Sequence, residues 1–215
     1  MLRGVIFDLD DTLYNASFCY AKGYEALAVY VDNTFGIRKK EFEEQFAESR
    51  KIIKGNLGNV ASSHNRLLYI QKYLETIGES PVVYALDMYE LFWNTVLEYA
   101  ELYDYVIPLF NELKDKRIVI AILSDLTSYI QHKKIRKLGI DSYIDVLVTS
   151  EEVGVEKPSH IMFDYVIKKM QIDAESVVMI GDSYERDIEG AKAVGIRAIH
   201  FVPGLNILQE VERLL

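Results

Sequence analysis

GVIFDLDDTLYN, residues 4–15, decides how this chain is read. Its opening GVIF is short, apolar and partly β-branched, as expected of a strand buried on both faces of a parallel sheet. The run then meets Asp8, Asp10 and Asp11 within four positions. In an extended backbone, side chains at i and i+2 share a side, so Asp8 and Asp10 project together while Leu9 points away. Open parallel sheets bind their ligands beyond the carboxyl ends of the strands, which is where this pair lies. Two adjacent anions are costly unless a cation or a shared proton relieves them, so the spacing suits a metal and acid–base chemistry. Asp also favours turns and N-caps, and the three acids could simply end the strand and cap a helix after Tyr14. The other strand ends decide between these readings.

Four later segments share the character of GVIF: RIVIAILS (117–124), DVLVTS (145–150), SVVMIGDS (176–183) and, more weakly, RAIHFV (197–202). Helical patterns over about 128–138, 159–170 and 185–194 separate them, and such alternation predicts a parallel α/β sheet covered on both faces. Between the first two strands the rhythm changes. Residues 16 to about 102 hold four helix-compatible stretches, approximately 16–34, 39–54, 64–78 and 84–102, with a break at GNLGNVASSHN (55–65). The expected organisation is a Rossmann-like α/β core over 1–14 and 103–215, with an inserted α-helical cap over 15–102. Hinges are expected near Tyr14–Ser17 and Leu102–Ile107.

Composition narrows the function. A chain of 215 residues, half of them hydrophobic, can bury a sizeable core. Lys and Arg total 24 against 33 Asp and Glu, and the net charge of -9 speaks against nucleic acid and anionic membranes as partners. A small anion can still bind where a cation reverses the local sign. No apolar run approaches the roughly 18 residues that span a bilayer, and the N-terminus meets Asp8 too early for a secretory signal. Cys19 is the single cysteine, so an intrachain disulfide is impossible and a reducing, cytoplasmic setting is the simplest expectation.

Each later strand end adds a group suited to phosphate chemistry. ILSDLTS brings Ser124 and Asp125, a hydroxyl and backbone N–H groups able to hold a phosphate oxygen, although Ser-Asp is equally an ordinary N-cap. Lys157 precedes Pro158 and a helix beginning near Ser159, where its charge could neutralise a phosphate and a carboxylate together. MIGDSYERD places Gly181 and Asp182 at a strand-to-helix junction, with Asp187 within the first turns beyond. Capping is the plain alternative for Asp182, and an ion pair with Lys157 or Arg186 is the plain alternative for Asp187.

Taken together, Asp8-x-Asp10-x-Thr12, Ser124, Lys157 and Gly181-Asp182-x-x-x-x-Asp187 resemble, in order and position, the four motifs of the haloacid dehalogenase-like hydrolases. The resemblance covers essentially the whole chain. It implies a Mg²⁺-dependent phosphatase in which Asp8 is the nucleophile and Asp10 the general acid and base. It further implies metal ligation by the side chains of Asp8 and Asp182 and by the backbone oxygen of Asp10. Ser124 and Lys157 would stabilise the transferred phosphoryl group, helped by backbone N–H groups near Leu9 and Asp125. Thr12 would shape the turn and support Asp10, and Asp187 would orient Asp182 or a metal-bound water. Asp125 departs from the Asn that many relatives carry after the hydroxyl, which puts fine specificity in question rather than reaction class.

Dehalogenation fits poorly, because it needs no acid two residues after the nucleophile. A sugar-phosphate phosphomutase would share every core residue and stays open, as does a phosphate-binding protein without turnover. A phosphorylated receiver domain would be near half this length and lack the insertion. The expected substrate is a small phosphorylated metabolite, with glycolate phosphate, sugar phosphates and nucleoside monophosphates all open, and the enzyme a monomer or homodimer. Within the insertion, Tyr20, Lys22, Tyr24, Asn59, His64 and Arg66 could meet a leaving group; the expectation for the aromatics is packing, and for the polar residues ordinary loop surface.

Overall fold

In the computed structural model, which describes residues 2–214, five strands form one parallel sheet in the order β3-β2-β1-β4-β5. They are β1 (Gly4–Phe7), β2 (Val119–Ser124), β3 (Val146–Thr149), β4 (Val177–Gly181) and β5 (Arg197–His200). The expected α/β class and parallel sheet are what the structure has. Met1 and Leu215, the outer ends of the expected core, lie outside the described residues. The chain divides into two compact units: one takes the sequence up to Asn15 and from Glu101 onward, and the other is Ala16–Ala100.

The central position of β1 explains its composition. Val5, Ile6 and Phe7 are fully buried, because the strand is paired on both edges and covered on both faces. On one face Ile6, Ala121, Leu123 and Met179 pack against Met162, Phe163 and Val166. On the other, Phe7 meets Phe110 with ring centroids 5.2 Å apart. The register sets Phe7 beside Ile122 of β2 and Ile180 of β4. Extended by one residue, that register sets Asp8 beside Leu123 and Gly181, so Ser124 and Asp182 follow one residue further at the carboxyl edge of the sheet.

The helical unit holds α1 (Ala16–Phe35), α2 (Lys39–Leu57), α3 (Arg66–Ile77) and α4 (Pro81–Glu98), with a short 3₁₀ turn over Ala61–His64 inside the expected break. Asn65 caps α3 by accepting from Leu67 N at 2.9 Å, and Pro81 opens α4 at a position whose N–H would have no partner in the helix. Phe42, Phe92, Tyr69 and Tyr73 fill its interior. The sheet unit adds α5 (Val106–Asp115), α6 (Ser128–Lys137), α7 (Ser150–Val153), α8 (His160–Met170), α9 (Gly190–Ala193) and α10 (Ile207–Glu212).

Several boundaries differ from the sequence reading. β2 begins at Val119 rather than 117, because Arg117 turns the chain with φ 57°. Ser150 starts α7 instead of ending β3, since the Thr149 hydroxyl accepts from Glu152 N and caps the turn. The stretch expected as helix over 185–194 is a wide helical turn, Tyr184–Glu189, running into α9. Helix α5 begins at Val106, inside the stretch Leu102–Ile107 read as a hinge: Val106, Leu109, Phe110 and Leu113 bury one helical face, and Pro108 falls in the first turn where it is tolerated.

Candidate active site

Past Phe7 the chain leaves the sheet and turns sharply. Asp11 adopts a left-handed conformation, φ 61°, which Asp tolerates better than most residues. The turn closes with Leu13 N donating to Leu9 O at 3.1 Å. Tyr14 bridges back to Leu102 and Leu13 O accepts from Tyr103 N, so the outgoing and returning chains are pinned side by side.

Lys157 is the hub of the site. Its Nζ donates to Asp8 Oδ1 and to Asp187 Oδ1, both at 2.6 Å, with all three side chains buried. Burial alone would lower the lysine's pKa, but Asp187, Asp8 and Asp125 outweigh it and hold the ammonium above the ordinary lysine range. Burial pushes the Asp8 carboxyl well up; Lys157 opposes this and Asp187 adds to it. Asp182 is raised as well, first by burial and then by the charges of Asp187 and Asp11.

Asp8, Asp182 and Asp187 offer one carboxylate oxygen each, all within 4.8 Å of one another. One lysine cannot neutralise three acids so close, and an all-oxygen set of this kind suits a hard divalent cation such as Mg²⁺. Gly181 makes the arrangement possible. A Cβ there would lie 2.3 Å from Asp187 Oδ2, so only glycine lets that carboxylate fold back against β4. Ser183 N donates to the same oxygen at 3.0 Å.

The remaining expected residues find partners that refine their reading. Thr12 faces two other acids: its hydroxyl lies 3.5 Å from Asp8 Oδ2 and 3.3 Å from Asp182 Oδ1, and accepts from Asp182 N at 3.0 Å. It therefore ties the first and fourth strand ends together. Leu9 is buried, and its carbonyl accepts from Leu13 N in the turn. Ser124 is buried and its hydroxyl accepts from Gln131 Nε2 at 2.6 Å. Asp125 accepts from Lys157 N at 2.9 Å and lies 3.5 Å from Arg186 Nη1. Its extra charge is thus met by protein donors and fastens the Lys157 loop. Asp187 takes the ion pair with Lys157 that was its plain alternative.

Asp10 is held by groups the sequence reading did not single out. Tyr14 donates to Oδ1 at 2.7 Å, and Lys134 Nζ donates to Oδ1 at 2.7 Å and Oδ2 at 2.6 Å. A signal was present: Gln131 and Lys134 fall in the same helical stripe as Ile130, Ile135 and Leu138, polar residues on an apolar face.

In the helical unit, Tyr24 and Tyr20 pack against Phe92 with centroids 5.0 and 6.3 Å apart, the packing expected of the insertion's aromatics. Lys22 pairs with Glu25 on the surface, and Asn59 is exposed. Arg66 is not loop surface. It is 8% exposed, its guanidinium lies 4.9 Å from the Tyr20 ring centre and 5.7 Å from that of Trp93, and Nη1 donates to His64 O. A planar, weakly hydrated cation stacks on aromatic faces where an ammonium would be less comfortable.

Residues 2–195 match the haloacid dehalogenase-like hydrolase family. The chain belongs to that family. This haloacid dehalogenase-like hydrolase is 35% identical to the ribulose-1,5-bisphosphate 5-phosphatase of Halopiger xanaduensis, over 94% of this chain and 86% of the relative. It is 31% identical to the glyceraldehyde 3-phosphate phosphatase of Methanocaldococcus jannaschii, over 95% and 86%. Among solved structures, the haloacid dehalogenase-like hydrolase fold is shared with the Bacillus subtilis HAD-hydrolase YfnB, with a TM-score of 0.75, 22% identity and coverage of 100% and 98%. A 2-haloacid dehalogenase from Pseudomonas syringae superposes with a TM-score of 0.80 at 20% identity, covering both chains fully.

Proposed function

We propose that this haloacid dehalogenase-like hydrolase is a Mg²⁺-dependent sugar-phosphate phosphatase working through a phosphorylated Asp8. The observation that carries the reading is the Lys157 hub: one buried ammonium bonded to both Asp8 and Asp187, beside Asp182, with Asp10 two residues beyond Asp8. The substrate class follows from the two relatives named above, both phosphatases of small phosphorylated sugars and both matched over nearly the whole chain.

The chemistry divides among the chain's own groups. An Asp8 oxygen attacks phosphorus as the bond to the sugar oxygen breaks, which splits one difficult hydrolysis into two displacements. Asp10 gives its proton to the departing alcohol and later takes one from the attacking water. Lys157, the Ser124 hydroxyl and the N–H groups of Leu9 and Asp125 stabilise charge on the phosphoryl oxygens. Mg²⁺ held by the Asp8 and Asp182 carboxylates and the Asp10 carbonyl would supply charge neutralisation and align the phosphate. Asp187 holds Lys157 in place and fixes Ser183, and Thr12 keeps Asp8 and Asp182 in step. The Ala16–Ala100 unit serves as a cap that selects the sugar.

Asp10 argues against dehalogenation, in which the halide ion departs without needing a proton. Among the described residues no helix is long and apolar enough to cross a membrane. A cytoplasmic enzyme, monomeric or homodimeric, acting on a diffusible metabolite fits the single, buried cysteine, Cys19.

The test is phosphate release from a panel containing glyceraldehyde 3-phosphate, ribulose 1,5-bisphosphate, other sugar phosphates, glycolate phosphate and nucleoside monophosphates. Release is expected to be fastest on sugar phosphates, to stop with EDTA and return with Mg²⁺. Asp8→Asn should lower it by at least about a thousandfold. Folded, Mg²⁺-loaded protein that releases no phosphate from any of them would overturn the reading.

A further inference from the structure

Asp10 and Lys134 form an ion pair whose chain separation and burial set it apart from the surface pairs. Lys134 is 0% exposed and reaches from α6 to both carboxylate oxygens of Asp10, at 2.6 and 2.7 Å. The Tyr14 phenol donates to Asp10 Oδ1 at 2.7 Å from a fully buried ring. Fastening α6 to the sheet does not require this lysine, because Ile130, Ile135 and Leu138 of the same stripe are already buried. Burying an ammonium away from water is costly even when it is paired, and an apolar side chain of similar size would fasten the helix at least as well.

We propose that Lys134, together with Tyr14, is the positioning residue that fixes the direction in which the Asp10 carboxyl faces the leaving oxygen. The inference rests on the reading of Asp10 as general acid and base. In the transfer, the phosphorus bond to the sugar oxygen breaks as the bond to Asp8 forms, and the Asp10 proton passes to that oxygen. In the hydrolysis a water oxygen bonds to phosphorus as the bond to Asp8 breaks, and the water's proton returns to Asp10. Lys134 gains and loses no proton in either step. Its part is geometric: a carboxyl on a short side chain of a turning loop has rotamers to choose among, and contacts to both oxygens select one. Gln131, one turn earlier on α6, does the same for Ser124, so one helix face sets two groups of the site.

Leaving-group dependence tests this directly. The ratio kcat/KM reports steps up to the first irreversible one, here phosphoryl transfer. A sugar alkoxide needs a proton to depart, whereas p-nitrophenolate does not. Lys134→Met, similar in length and without charge, is expected to lower kcat/KM on the sugar phosphate at least about a hundredfold and on p-nitrophenyl phosphate less than about fivefold. Inhibition by orthovanadate should be unchanged. Tyr14→Phe, which removes one hydrogen bond to Asp10 and leaves charge alone, should show the same selectivity at about fivefold or more, and it decides the matter if Lys134→Met does not fold. Equal losses on both substrates, or no loss on either, would overturn the proposal. Asp10→Asn run alongside separates the two levels. If it too fails to discriminate between leaving groups, the acid–base reading falls and the positioning role with it. If it discriminates and the Lys134 and Tyr14 variants do not, only the positioning role falls.

Discussion

Asp182 shows what holding acids together costs a protein. Burial, and then the charges of Asp187 and Asp11, hold its carboxyl above the ordinary carboxylate range. As pH rises from about 4, the unfolded chain gives up this proton first. The native state then binds more protons than the unfolded one, so the group's contribution to stability falls with rising pH and the penalty is complete above the raised value. Asp182→Asn removes the charge and keeps a group that can accept from Thr12. Metal-free Asp182→Asn protein is therefore expected to melt at least about 2 °C higher than the parent at neutral pH, and the gain should shrink toward pH 4. Thermal denaturation in EDTA across that range checks it; a lower melting point at neutral pH would contradict the sign. The same residue illustrates what a sequence shows and hides. Asp8, Asp10, Lys157, Asp182 and Asp187 stand out because each follows a strand or opens a helix at the sheet's carboxyl edge. Lys134 lies mid-helix, and its partner is 124 residues away; only its place in an apolar stripe marks it.

At the scale of elements, two glycines near the carboxyl edge serve different ends. Gly181 ends β4, and a Cβ there would fall 2.3–2.5 Å from three Asp187 atoms. Gly190 opens α9, and a Cβ there would lie 2.6 Å from the Phe163 ring of α8. Gly190→Ala should cost about 1–3 kcal/mol, the usual penalty of overpacking, and leave turnover near normal below its melting point. Gly181→Ala displaces the carboxylate that fixes Lys157, so phosphate release should fall at least about a hundredfold in protein that remains folded. Melting curves and steady-state rates of the pair separate the two roles, and comparable activity in both variants would contradict this division. The central strands were legible because continuous β-branched runs admit few other readings. Their ends were not, because Arg117, Thr149 and Ser150 depend on a backbone turn and a cap rather than on periodicity. Helix α5 carried a clear i, i+3, i+4, i+7 stripe that Pro108 obscured, although proline in a first turn is no barrier.

For the whole molecule, the acids form a single electrostatic account. A chain of net charge -9 concentrates buried carboxylates around one lysine at the sheet edge, so the protein without a cation carries self-repulsion where its substrate, also an anion, must bind. Mg²⁺ is expected to raise the melting temperature at neutral pH, by an amount corresponding to about 2.7 kcal/mol at a hundred times its dissociation constant. The shift should nearly vanish in Asp182→Asn, and an equal shift in both proteins would place the cation elsewhere. The helical insertion was legible as a change of rhythm, but the chemistry of Arg66 within it was not, because a cation stacked on rings from three helices has no local signature. The most direct test of the central claim is to identify the group that carries the phosphoryl. The protein would be acid-quenched during Mg²⁺-dependent turnover of a sugar phosphate, reduced with borohydride, and its peptides weighed. Homoserine at position 8, seen only with substrate and absent from Asp8→Asn, is the predicted result. Turnover that persists in Asp8→Asn, or a phosphorylated residue elsewhere in its place, would contradict the account.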